Sequence, residues 1–219
     1  QMPMCARCSV RICENRGGKW NGPLPSLEKL PGFCPMKLMP EVFCQAAAEY
    51  EKPAVREFAR LASLQEFECF ERLSDGYRAK LSRVEELILF SRKCDYRKLG
   101  IAHCAGLIKE AGMLTDILES NGFEVISVQC KAGNVPKEAI GIKPEEKVAG
   151  AAKWETMCNP IAQAMIISSS QVDLAVMLGL CIGHDTLFIK YCDVPLTVLA
   201  VKDRLLAHNP LAALYLSDS

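Results

Sequence analysis

Cysteine is the residue type whose spacing in this chain could do chemistry. The run Cys5-x2-Cys8-x4-Cys13 is closed twenty residues later by Cys34-Pro35. A C-x-x-C pair aims two thiolates at one tetrahedral metal ion, because the tight turn between them directs both inward. Cys13 and Cys34 supply a third and a fourth donor. Such a set suits structural zinc and equally an iron–sulfur cluster, for which a Cys-Pro end is familiar. Soft thiolate ligands favour these over magnesium or calcium.

A second set stands further along. Cys104, Cys130 and Cys181 each close a run with strand character, "KLGIAHC", "FEVISVQC" and "VDLAVMLGLC". Gly106, Gly133 and Gly183 follow within three residues, as a sharp strand-to-loop turn would use. Cys158 stands just before "NPIAQAMIISSSQ", where Asn159 suits a helix N-cap and Pro160 the first turn. The carboxyl ends of neighbouring parallel strands share one edge, and open α/β sheets bind ligands there. A helix start beside that edge favours a thiolate at Cys158. His184 and Asp185 fall on the same rim, as do Lys202, Asp203 and Arg204 at the end of "PLTVLAVKD", with His208 close behind.

Two chemistries fit this rim. Cys104, Cys130, Cys158 and Cys181 could hold a metal or cluster, all four together or three with one thiol free. Alternatively Cys181 or Cys158 is a nucleophile, with His184 as base and Lys202 or Arg204 binding a small anionic ligand. A third role is a non-catalytic domain that senses metal or redox state and reports to a redox partner protein. Asp185 could also serve as an N-cap, and His208 could satisfy a loop. Cys44, Cys69, Cys94 and Cys192 have no partner at ligand spacing and read as core or incidental thiols.

The elements that must position these residues fall into three segments. Residues 1–40 are irregular and dense in Gly, Pro and Asn. They offer too few apolar residues to order themselves, so a metal held by their four cysteines would have to do so. Residues 41–95 carry helical periodicity, with Pro53 opening a helix and a second helix running from about Tyr77 to Lys93 after a break at Asp75-Gly76. Residues 96–219 alternate strand and helix. The fold class is therefore α/β, a parallel sheet of about four strands covered by helices in a Rossmann-like three-layer arrangement. "HCAGLIKEAG" lacks the G-x-G-x-x-G spacing, so NAD is not expected.

Composition narrows the partners. Half of the residues are apolar, about a quarter are charged and the formal net charge is zero. A neutral chain with few aromatics gives no basis for nucleic-acid binding. No run approaches the roughly 18 apolar residues of a membrane span, and the first residues lack the apolar stretch of a signal peptide. Twelve cysteines stay below the roughly 8–10% of a secreted disulfide scaffold. In a reducing cytoplasm they read as ligands or catalytic thiols before disulfides.

The blocks "CARC…C", "GFCP", "GIAHCAGL", "GFEVISVQCKAG", "MCNPIAQA", "DLAVMLGLCIGHDTLF" and "VLAVKDRLLAHNPLAALY" resemble a family of uncharacterised cysteine-rich proteins from anaerobic bacteria and archaea. Its members are labelled only as metal-binding proteins or domains of unknown function. The resemblance covers nearly the whole chain and is strongest from residue 99 on. It places the family's cysteines on Cys5, Cys8, Cys13 and Cys34, and on Cys104, Cys130, Cys158 and Cys181. It implies metal binding in an anaerobic cytoplasm and no particular reaction.

Overall fold

A computed structural model describes residues 2–11, 13 and 30–216. Contacts divide the chain into two units, Gln1–Ser63 and Leu64–Ser219. In the first unit a 3-10 turn, Cys5–Arg7, precedes α1 (Pro35–Leu38), α2 (Pro40–Tyr50) and most of α3 (Pro53–Glu68). Prolines open all three helices, where a missing N–H costs nothing and the fixed φ suits the first turn. The apolar residues that gave α3 its helical pattern do not form a core: Phe58 and Phe67 are both exposed.

The second unit differs from the sequence expectation at its start. Residues 77–79 are not the beginning of a helix. They lie in β2 (Gly76–Ala79), which pairs antiparallel with β1 (Phe70–Leu73). Two turn residues, Ser74 and Asp75, join Leu73 to its partner Gly76. The helix starts only where the backbone finds a cap. The Ser82 hydroxyl accepts from the Glu85 N–H, the Glu85 carboxylate accepts from the Ser82 N–H, and α4 runs Arg83–Lys93. The S-x-x-E spacing of this capping box was legible in the sequence and outranks the apolar periodicity that begins earlier.

From β3 (Lys98–His103) to β6 the strands and the α-helices between them follow expectation. A 3-10 turn (Ala105–Leu107) leads into α5 (Ile108–Ser120), and β4 (Glu124–Gln129) follows. Then come α6 (Pro160–Ser169), β5 (Leu174–Leu180), α7 (His184–Tyr191), β6 (Leu196–Val201) and α8 (Leu211–Leu216). The four strands are parallel and ordered β4-β3-β5-β6. This is an α/β fold of the Rossmann-like three-layer kind. On one face, Leu87 and Ile88 of α4 and Ala111, Leu114 and Leu118 of α5 pack on Leu99, Ile101 and Val176. On the other, Ala164 and Ile167 of α6 and Phe188 of α7 pack on Ala102, Val128 and Met177. Every residue of β5 is buried, as a central strand covered on both faces requires.

The chain steps from β3 outward to β4 and then returns across β3 to β5. The order therefore reverses between β3 and β5, and in such sheets the crevice outside the strand ends at this switch point is where ligands bind. No helix among the described residues is long and apolar enough to cross a membrane.

Candidate functional site

β3, β4 and β5 each end one residue before a cysteine, so Cys104, Cys130 and Cys181 stand at the carboxyl edge of the sheet. His103 pairs with Gln129, which sets Cys104 level with Cys130 on the adjoining strand. The Cys130 N–H donates to the His103 carbonyl (2.9 Å), and its carbonyl accepts from the Asn159 N–H (2.6 Å). That second bond fixes the start of α6 beside β4 and brings Cys158 to Cys130. Asn159 caps α6 by accepting from Ala162 N–H (3.1 Å), with Pro160 in the first turn.

One buried side chain locks this arrangement. The Gln163 amide on α6 donates to the carbonyls of His103 (3.1 Å) and Val128 (2.7 Å), near the ends of β3 and β4. Gln163 is fully buried, and the sequence reading did not single it out. A polar residue on an otherwise apolar helix face was the available signal.

The sulfurs interact. The Cys130 sulfur accepts from the Ala105 N–H (3.3 Å). Its hydrogen bond to Cys158 pushes the Cys130 thiol well above the usual thiol range, and burial adds to this. The same bond holds Cys158 down to about 7, against burial, with help from the nearby Lys131 ammonium. Cys104 shares in the set through its own hydrogen bond to Cys130. Cys104 and Cys158 both pack, half-buried, against the apolar cluster that contains Cys130.

Cys181 is on the same edge but has a different partner. Arg204, just beyond β6, donates from Nη2 to the Cys181 sulfur at 3.0 Å. Lys202 sends its ammonium to Gly106: a Cβ built there would lie 3.9 Å from Lys202 Nζ and 3.8 Å from Cys104 Sγ. Gly106 itself has no unusual φ, whereas Gly133 and Gly183 take φ +95° and +84° and need glycine for their turns.

The two candidate polar groups behave differently. His184 opens α7, its N–H donating to the Cys181 carbonyl (2.9 Å). Burial holds its imidazole below the usual range, and the neighbouring Lys137, Lys131 and Arg204 act the same way against Asp185. Its Nδ1 is buried without a partner, and the ring makes no hydrogen bond to a rim thiol. His208 Nδ1 lies 3.1 Å from both the Val201 carbonyl oxygen and the Asp203 nitrogen, so it donates to the first or accepts from the second, according to its tautomer, in the loop that carries Lys202 and Arg204. Asp185 is not the N-cap of α7; Gly183 holds that position.

In the first unit the Met4 N–H donates to the Phe33 carbonyl (3.3 Å), which places Cys5 and Cys34 on adjoining backbone. The 3-10 turn joins Cys5 to Cys8 (N···O 3.0 Å), and the Arg11 N–H donates to the Cys8 sulfur at 3.5 Å. Cys34 is buried, while Cys5 and Cys13 are exposed. Cys44 is exposed on α2, Cys69 is buried beside Gln65, and Cys94 and Cys192 end helices.

Among the described residues no three His, Cys, Asp or Glu side chains are disposed as a ready metal site. The fit to the metal that the resemblance implies is one of donor chemistry. The rim offers Cys130 with Cys104 and Cys158 as its two thiol neighbours, Cys181 close by, and cations to offset a thiolate centre.

Fold and site together define a Rossmann-like α/β protein with a thiol-lined edge at its topological switch point. Residues 34–199 match the model of a family described as "Protein of unknown function (DUF1847)", and the chain belongs to that family. An uncharacterised protein of Methanocaldococcus jannaschii, MJ0455, is 42% identical over 161 residues, which are 74% of this chain and 81% of that protein. The family match contains all four rim cysteines and Cys34, and leaves Cys5, Cys8 and Cys13 outside it.

Proposed function

We propose that this is a metal-binding protein of a reducing cytoplasm whose working site is the thiol edge. The carrying observation is that four separate segments deliver Cys104, Cys130, Cys158 and Cys181 to one sheet edge bordered by Lys131, Lys202 and Arg204. A divalent zinc ion, or a cluster core of the same charge, held by four thiolates is a dianion, and these cations suit that charge. Zinc or an iron–sulfur cluster would fit such donors. A cluster would supply redox or cluster-handling chemistry, and zinc a Lewis acid. The chain contributes the rigid mount: Gln163 and the backbone bonds around Cys130 fix three of the thiols. The N-terminal cysteines form a second site, structural or electron-relaying, with the Arg11 N–H already aimed at the Cys8 sulfur.

The test is metal and acid-labile sulfide analysis on protein purified without oxygen. One zinc, or one cluster, per four-cysteine set is the expected result. Protein that neither carries nor takes up a soft metal would refute the reading.

A second reading has one observation in its favour. Cys158, half-buried at a helix start with Cys130 behind it, has the properties of a nucleophilic thiol. In metal-free protein its alkylation rate should rise with pH through a midpoint near 7 and flatten above, because the thiolate fraction saturates there. Cys130 should stay unreactive throughout this range. Mass-spectrometric mapping of iodoacetamide labelling from pH 5.5 to 9 checks this. A midpoint at or above 8.5 for Cys158 would remove the second reading.

A further inference from the structure

Four features separate Cys181 from the other three rim thiols. The first is register. His103 pairs with Leu178, so Cys104 is level with Gly179 and Cys181 lies two residues further out. At about 3.3 Å per residue this is an offset of roughly 6–7 Å along the strand. The second is facing. Leu178 belongs to the cluster under α4 and α5, whereas Leu180 belongs to the cluster under α6 and α7. Residues two apart in a regular strand share a face. The irregularity at Gly179, with φ +69°, reverses the alternation just before Cys181. Cys104, Cys130 and Cys158 all pack with the α6/α7 cluster, and Cys181 does not.

The third feature is the mount. Cys181 starts a tight turn whose next residue, Ile182, is 94% exposed. The turn can carry the sulfur outward without disturbing the core. The fourth is the partner, since Arg204 already engages the Cys181 sulfur from the side of β6.

We infer that Cys181 is the exchangeable thiol of the rim. Cys104, Cys130 and Cys158 would hold the metal, while Cys181, engaged by Arg204, would leave one position for a small soft anionic donor such as a thiolate or sulfide. This rests on the metal reading above. Such an exchange would transfer no electrons: one sulfur–metal bond would be replaced by another, and the Cys181 thiolate would stay charged against the guanidinium. An anion rather than a neutral ligand is indicated by Lys202. Its ammonium reaches the edge beside Cys104, and its side chain makes no hydrogen bond or ion pair with the described residues.

The test uses full-length protein loaded with cobalt(II), its metal content measured after desalting. Cys104→Ser, Cys130→Ser and Cys158→Ser should each lose the rim metal, while Cys181→Ser should keep it. Cys158 and Cys181 are both only half-buried, so that pair alone decides the comparison if the buried Cys130→Ser fails to fold. In loaded wild type, iodoacetamide should label Cys181 at least tenfold faster than Cys104, Cys130 or Cys158. Added 2-mercaptoethanol should change the cobalt absorption spectrum. Equal metal loss from Cys181→Ser and Cys158→Ser, equal protection of all four thiols, or a spectrum indifferent to 2-mercaptoethanol would each overturn the inference and leave the metal reading standing. Wild type that takes up no metal at the rim would overturn both.

Discussion

Gly179→Ala should destabilise the second unit by about 2–5 kcal/mol. At φ +69° a side chain sits in the left-handed region, which costs on the order of 1–2 kcal/mol. The added Cβ would also lie 2.1 Å from Leu107 Cδ1. Leu107 is buried in the cluster under α4 and α5, so its methyl has no free volume to enter. Overpacking of this kind costs roughly 1–3 kcal/mol. The local effect should reach the site, because Gly179 is where β5 changes face before Cys181. A chain that escapes the clash by regularising the strand would move Leu180 and Cys181 to the opposite faces. Urea unfolding followed by circular dichroism measures the cost. Gly112→Ala in α5 is the control, since its φ is ordinary and nothing lies within 4 Å of its added Cβ. That change should be neutral or stabilising by about 0.5–1 kcal/mol. A Gly179→Ala variant as stable as wild type would show that the reversal is not fixed by this residue.

Strands β3 to β6 and helices α5 to α7 were legible in the sequence for a physical reason. Buried parallel strands must be continuous apolar runs, and the helices between them carry stop and start signals such as Asn121-Gly122 and Asn159-Pro160. The three strand-end cysteines could be placed on one edge because parallel strands all end on the same side. Three things were not legible. The pairing of residues 70–73 with 76–79 is one, because residues 77–79 share the spacing of the helix that follows, although the Ser82–Glu85 cap does mark where that helix starts. The position of Cys181 relative to Cys104 and Cys130 depends on register and on one irregular residue, and neither leaves a mark in hydrophobic pattern. Gly179 was visible only as a break in an apolar run. Arg204 and Lys202 could be assigned to the rim, but their division between Cys181 and Cys104 depends on the order β3-β5-β6. That order is a tertiary property.

On the metal reading proposed above, stripping the metal should open the N-terminal segment to proteases while leaving the α/β unit intact. Residues 1–34 offer few apolar residues for a core, and contacts among the described residues fall beside the cysteines. The Met4–Phe33 backbone bond sits immediately before Cys5 and Cys34, and the Arg11 N–H points at the Cys8 sulfur. A bond between two short segments contributes about 1 kcal/mol, too little to offset ordering entropy of roughly 1–2 kcal/mol per residue. Structural zinc contributes on the order of 10–16 kcal/mol in small peptides, enough to hold the whole segment. Trypsin should therefore cut metal-free protein within residues 1–34 at least tenfold faster than zinc-loaded protein, while fragments from residues 96–201 appear at unchanged rates. Replacing Cys8 by serine should give the metal-free pattern even with zinc present, because it removes one of the four proposed thiolate ligands. Serine at Cys44, which is exposed on α2, should leave the zinc protection intact. If zinc-loaded and metal-free protein are cut at the same rate, Cys5, Cys8, Cys13 and Cys34 do not order this segment through a metal. The rim would then be the metal site to examine.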